Sequence, residues 1–134
     1  MKNLDQFYMR IAIQVSKASY CERSKVGAIL IKEGNIISFG YNGTPRGFDN
    51  KCELDGITKR EVLHAESNAI TKCAKVGGQA LDSSLYVTVS PCYDCSKLII
   101  QSGIKAVYFL EHYRDTKGLA LLKQANIYFE KIIL

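Results

Sequence analysis

Apolar residues recur at Leu4, Phe7, Tyr8, Ile11, Val15 and Ala18, the spacing of one helix face, with Asn3 just ahead as a candidate cap. The period then changes. VGAILIK (26–32) and NIISFGY (35–41) are rich in β-branched and aromatic residues and are parted by Glu33 and Gly34, which predicts a hairpin. Residues 43–60, GTPRGFDNKCELDGITKR, break the pattern with Gly, Pro, Asp and Asn and are expected to form an irregular loop. HAESNAITKCAK (64–75) returns to helical spacing, and LYVTVS (85–90) reads as a strand. PCYDCSKLIIQSG (91–103) follows as a helix, with Pro91 near its start and Gly103 past its end. KAVYFLE (105–111) is a strand, TKGLALLKQAN (116–126) a helix, and IYFEKIIL (127–134) a final strand. Strands joined through a helix run parallel with a right-handed crossover. The expected fold is therefore a three-layer α/β/α domain, with a mixed sheet of about five strands and helices on both faces.

Length and composition narrow this further. A chain of 134 residues closes one core but not two, so residues 1–134 are expected to form a single domain. No apolar stretch reaches a membrane span, and the N-terminus lacks the uninterrupted apolar core of a signal peptide. A cytoplasmic protein with no membrane partner is expected. Its five cysteines then sit in a reducing compartment, and their odd number favours metal binding or plain burial over a disulfide framework. The net charge of +5 suits an anionic ligand, a phosphorylated small molecule or a nucleic acid. The basic residues are scattered, however, with no run and no aromatic-basic RNA-binding signature, so a nucleic-acid partner is not expected.

The chemistry gathers at two places. Cys92 and Cys95 in CYDC supply two thiols one turn apart at a helix start after a strand, a context that suits a redox pair and half a zinc site equally. LHAESNAI tips the balance, because H-x-E followed downstream by P-C-x-x-C is the zinc nucleoside and nucleobase deaminase signature. Helix N-termini direct first-turn side chains and a positive dipole toward one point, which favours thiolates there. His64, Cys92 and Cys95 then give three protein ligands and leave a fourth position for water, the pattern of a catalytic rather than a closed structural site. Glu66, two residues after His64, is expected to do the acid and base work without ligating the metal. The Ser90 carbonyl, just before Pro91, is placed to accept from a substrate amino group.

The other cysteines and the second histidine carry less. Cys73 shares a helix face with Ala69 and Ile70 and reads as core. Cys21 and Cys52 flank loops and could join a second metal, though with no histidine partner; His112, past a strand end, is open to a surface or pocket-edge role.

RSKVGAILIKEGNIISFGYNGTPRGF (23–48), with HAESNAI, LYVTVSPCYDC and QSGIKAVYF, resembles the deoxycytidylate (dCMP) deaminases of the zinc-dependent cytidine deaminase superfamily, from about Arg23 to Tyr113. HAE and PCxxC are common to the superfamily; GYNGTPRGF is the discriminating piece. The resemblance implies a cytidine deaminase-like fold, and conversion of dCMP to dUMP and ammonia, supplying thymidylate synthesis. It implies one catalytic zinc per chain on His64, Cys92 and Cys95, with Glu66 shuttling protons. Nucleotide contacts are implied for Asn42, for Arg23, Ser24 and Lys25 at the 5′-phosphate, and for Ala65 and Tyr113. Members are commonly homo-hexamers activated by dCTP and inhibited by dTTP, which implies effector contacts at Asn42 and Gly43. Some relatives hold a second zinc using a cysteine placed like Cys21, but residues 53–63 contain no histidine, which argues against it and leaves the support of the 43–63 loop open. The alternatives are a deaminase of another cytosine nucleotide or nucleoside (dCTP, CMP, cytidine) and a non-catalytic structural zinc module.

Overall fold

The computed structural model describes residues 4–134. The first amphipathic segment is helix α1 (Asp5–Ser16); Leu4 holds its N-cap position, and the expected cap Asn3 lies outside the described residues. Strands β1 (Gly27–Lys32) and β2 (Asn35–Tyr41) form the expected hairpin, its turn carried by Glu33 and Gly34. The loop after β2 is less irregular than expected. It contains a small antiparallel pair, β3 (Glu53–Leu54) and β4 (Ile57–Thr58). Asp55 and Gly56 turn it with φ of 53° and 77°, the two positive values of a tight hairpin turn, and the Asp-Gly dipeptide was the signal for it.

Helix α2 (Ala65–Lys75), strand β5 (Ser84–Val89), helix α3 (Tyr93–Gln101), strand β6 (Ala106–Glu111), helix α4 (Lys117–Gln124) and strand β7 (Tyr128–Lys131) complete the chain. The last strand is shorter than its apolar run, because pairing with β6 ends at Lys131. Beyond it the Ile132 N–H still donates to the Phe109 carbonyl, and Ile132 is buried. The sheet order is β2-β1-β5-β6-β7, antiparallel on the first two seams and parallel on the last two.

Alternation along the strands sorts the core onto two faces. Ala28, Leu30, Leu85, Val87, Val107 and Phe109 pack against residues of α2, α3 and α4. Ile29, Ile31 and Tyr86 point the other way, onto Tyr8, Met9 and Ala12 of α1. The three layers expected from the sequence follow, with the ends of β2, β5 and β6 opening toward the N-termini of α2 and α3. No helix among the described residues is long and apolar enough to cross a membrane.

One expectation fails. Cys21 and Cys52 are joined in a disulfide, and both are buried. The odd cysteine count concealed a single pair, 31 residues apart, that meets only through tertiary structure. The bond ties the approach to β1 to the 43–63 loop. Beside it Glu53 Oε2 accepts from the backbone N–H groups of Glu22 and Arg23, both at 3.1 Å. Together these give the loop the support left open by the sequence. Cys73 is buried in the core, as its helix face suggested.

Candidate metal centre

The metal-ligand candidates occupy equivalent local positions. His64 is the N-cap residue of α2 and Cys92 that of α3, both in extended backbone, so each side chain leaves its helix at the positive end of the dipole. Pro91 precedes the cap and fixes the strand-to-helix turn. Cys92 Sγ takes the role a cap oxygen usually plays, accepting from the Cys95 N–H at 3.4 Å. Cys95, one turn into α3, brings its sulfur to the same point.

His64 Nδ1 lies 3.4 Å from the sulfurs of both Cys92 and Cys95, and all three donor atoms fall within 4.8 Å of one another. Around one tetrahedral zinc, with bonds near 2.3 Å to sulfur and near 2.0–2.1 Å to nitrogen, the nitrogen–sulfur separation comes to about 3.6 Å. The donor set and its spacing fit zinc. The electrostatics show what the cation must overcome. Hydrogen bonding from Cys95, then from His64, holds the Cys92 thiol well below its ordinary value. The Cys92 sulfur and burial push the Cys95 thiol up. Without a cation the pair carries one negative charge; a bound dication favours two. His64 is raised chiefly by its hydrogen bond to Cys92.

Glu66, in the first turn of α2, is 4% exposed, and burial lifts its carboxyl to about 7. It lines a cleft of about 500 Å³ together with His64, Ala65 and Cys92. A carboxyl of that kind is poised to gain and lose a proton near neutral pH.

The cleft gathers most of the expected nucleotide residues: Arg23, Ser24, Asn42, Ala65, Ser90 and Tyr113 all line it. Lys25 does not; its Nζ is turned to the Ser19 carbonyl at 2.5 Å. Thr58 and Val62, from the loop after β2, and Arg114 line the cleft without having been singled out, and His112 takes its pocket-edge option. For Arg114 the signal was available, as an arginine one residue past Tyr113.

The GYNG segment acts as a bracket. Asn42 Oδ1 accepts from the Val26 N–H at 2.8 Å, and its Nδ2 donates to the Ser24 carbonyl at 2.7 Å, which fixes the lip carrying Arg23 and Ser24. Gly43 pairs with Leu63 through two backbone hydrogen bonds, setting the residue before His64. Asn68 Nδ2 donates to the Tyr41 carbonyl at 2.9 Å and docks α2 onto the same strand end. Across the cleft the Tyr113 N–H donates to Ser90 Oγ at 2.7 Å, joining the chain after β6 to the end of β5.

Helix α4 supports the other ligand. A Cβ on Gly118 would stand 2.2 Å from the Pro91 carbonyl oxygen and 2.8 Å from the Cys92 carbonyl, so α4 lies directly on the turn that aims Cys92. Gly118→Ala is expected to cost about 1–3 kcal/mol in stability, by overpacking, and to weaken zinc binding. Thermal unfolding and zinc competition with a chelator measure the two effects. Unchanged zinc affinity would show that the turn adapts without moving Cys92.

Comparison with known proteins agrees with this geometry. The profile of the cytidine and deoxycytidylate deaminase zinc-binding region matches residues 2–111. The chain is 35% identical to ComE operon protein 2 of Bacillus subtilis over 97% of this chain and 71% of that one. It is 36% identical to the deoxycytidylate deaminase of Enterobacteria phage T4, over 81% and 78% of the two chains. The dCMP deaminase of cyanophage S-TIM5, solved in complex with dCMP and dUMP, superposes with a TM-score of 0.95 at 47% identity, covering 98% of this chain and 99% of that one. With a profile matched across most of its length and relatives of this similarity, the chain belongs to the cytidine and deoxycytidylate deaminase family.

Proposed function

We propose that this protein hydrolyses dCMP to dUMP and ammonia, with one zinc per chain held by His64, Cys92 and Cys95. The observation that carries the proposal is that one cleft is lined by the buried carboxyl of Glu66, by the metal-ligand candidates His64 and Cys92, and by two arginines, Arg23 and Arg114. Its relatives named as deoxycytidylate deaminases supply the substrate class. When bound, zinc supplies the Lewis acidity that makes a water nucleophilic near neutral pH.

Every other task falls to the chain. Glu66 takes one proton from the attacking water and delivers it to N3 of cytosine. It then takes the second from the hydroxyl added at C4 and delivers it to the amino group, which leaves as ammonia while the C4 carbonyl forms. The Ser90 carbonyl accepts from the amino group and aims it. Arg23 and Ser24, with Arg114, receive the 5′-phosphate through charge-assisted hydrogen bonds. Asn42 already spends one donor and its acceptor on the lip, so its further hydrogen reaches the nucleotide from a fixed position. A structural zinc module needs a fourth protein ligand, whereas the cluster found among the described residues offers three.

Ammonia release from dCMP, CMP, deoxycytidine and dCTP tests this reading. We expect dCMP to exceed deoxycytidine in kcat/KM by at least about tenfold, the effect of one charged hydrogen bond to phosphate. Arg23→Gln is expected to raise KM for dCMP by about 10- to 100-fold with little change for deoxycytidine. Equal rates on dCMP and deoxycytidine would overturn the phosphate assignment, and no ammonia from any of the four would overturn the deaminase. The proposal extends to a single-domain chain assembled as a homo-hexamer in the cytoplasm, activated by dCTP and inhibited by dTTP, on the strength of the GYNGTPRGF resemblance. The same assay with both effectors, and sedimentation of the native protein, test that extension.

A further inference from the structure

We propose that Ser67 is a positioning residue of the metal centre, donating its hydroxyl hydrogen to the Cys95 thiolate. The inference rests on the reading that Cys95 holds zinc. Ser67 Oγ lies 3.4 Å from Cys95 Sγ. A metal-bound thiolate has no proton, so the hydroxyl is the donor in that contact.

Helix geometry explains why this residue reaches the sulfur. Ser67 stands three residues after the cap His64, so both side chains leave the same face of α2, toward α3. Glu66, between them, is buried and lines the cleft. Three consecutive tasks are therefore laid on one helical turn: ligand at His64, proton carrier at Glu66, and hydrogen-bond donor to a second ligand at Ser67. The two sulfurs are served differently. Cys92 Sγ accepts from a backbone N–H that α3 itself supplies, whereas the donor to Cys95 Sγ is a side chain that substitution can remove.

A thiolate that shares charge with a hydroxyl gives less to its metal and leaves that metal a stronger Lewis acid. Ser67 thus tunes the reactivity of the centre through Cys95. It does not line the cleft and has no expected contact with substrate.

The whole chain loaded with Co(II), which accepts the same nitrogen and sulfur donors as zinc, provides the test. In Ser67→Ala we expect the thiolate-to-cobalt charge-transfer band to move to lower energy, because the sulfur lone pairs are no longer stabilised. The zinc enzyme should lose about tenfold in kcat for dCMP with KM unchanged. Ser67→Thr, which retains the hydroxyl, should keep the wild-type band and rate. An unmoved band in Ser67→Ala overturns the proposal and leaves the metal reading standing. If the wild-type cobalt protein shows no thiolate band at all, the metal reading fails and this inference fails with it.

Discussion

Glu66→Gln is expected to lower kcat on dCMP by about a hundred- to ten-thousand-fold while the protein keeps its zinc. The glutamine fills nearly the same space and leaves His64, Cys92 and Cys95 where they are, but it cannot carry a proton. The loss should fall on kcat rather than KM, since proton transfer belongs to the reaction step. Zinc content measured on the purified variant separates this from damage to the centre. A variant with full zinc and near-normal turnover would assign the proton work to another group.

The same substitution should stabilise the metal-free protein, and increasingly so as pH rises. Burial holds the Glu66 carboxyl at about 7 in the folded chain, against 4.5 as its ordinary value. Below about pH 4.5 the group is protonated in both folded and unfolded chains and costs nothing by this route. Between 4.5 and 7 the unfolded chain releases its proton first, so folding stability falls as pH increases. Above 7 the full penalty applies, about 3 kcal/mol from the difference between the two values. Glutamine has no such titration. His64 and Cys92 also titrate, but both proteins carry them and their contribution largely cancels in the comparison. Urea unfolding of the two chelator-treated proteins at pH 5 and pH 8 should show the variant's advantage growing; an equal advantage at both would mean that Glu66 is solvated in the metal-free state.

Much of this was readable along the chain. The alternation of period-two and helical segments leads to the mixed sheet, and H-x-E with P-C-x-x-C leads to the metal centre, because both depend on contacts within one or two adjacent elements. His64 and Cys92 are helix caps, a role their positions before α2 and α3 already imply. What escaped depends on distant parts meeting. The Cys21–Cys52 bond needs the 43–63 loop folded back on the approach to β1. Lys25 was grouped with Arg23 and Ser24 as a phosphate contact, yet its ammonium donates to the Ser19 carbonyl and it does not line the cleft with them. The β3–β4 hairpin was different: Asp55 and Gly56 marked it locally, and the surrounding Gly and Pro residues obscured the mark.

The Cys21–Cys52 bond also divides the chain's redox needs. Cys92 and Cys95 would hold a metal only as thiolates, whereas Cys21 and Cys52 hold the loop only when oxidised. By chain entropy alone, a crosslink between residues 31 apart is worth roughly 3–4 kcal/mol. A reducing compartment therefore favours the metal ligands and loosens the lip of the cleft, and an oxidising one does the reverse. Metal occupancy would reconcile the two, because sulfur committed to zinc is shielded from oxidation under conditions that keep the clip closed. A bound zinc would thereby act as a protecting group for two of the chain's five cysteines, beyond the part proposed for it in the reaction.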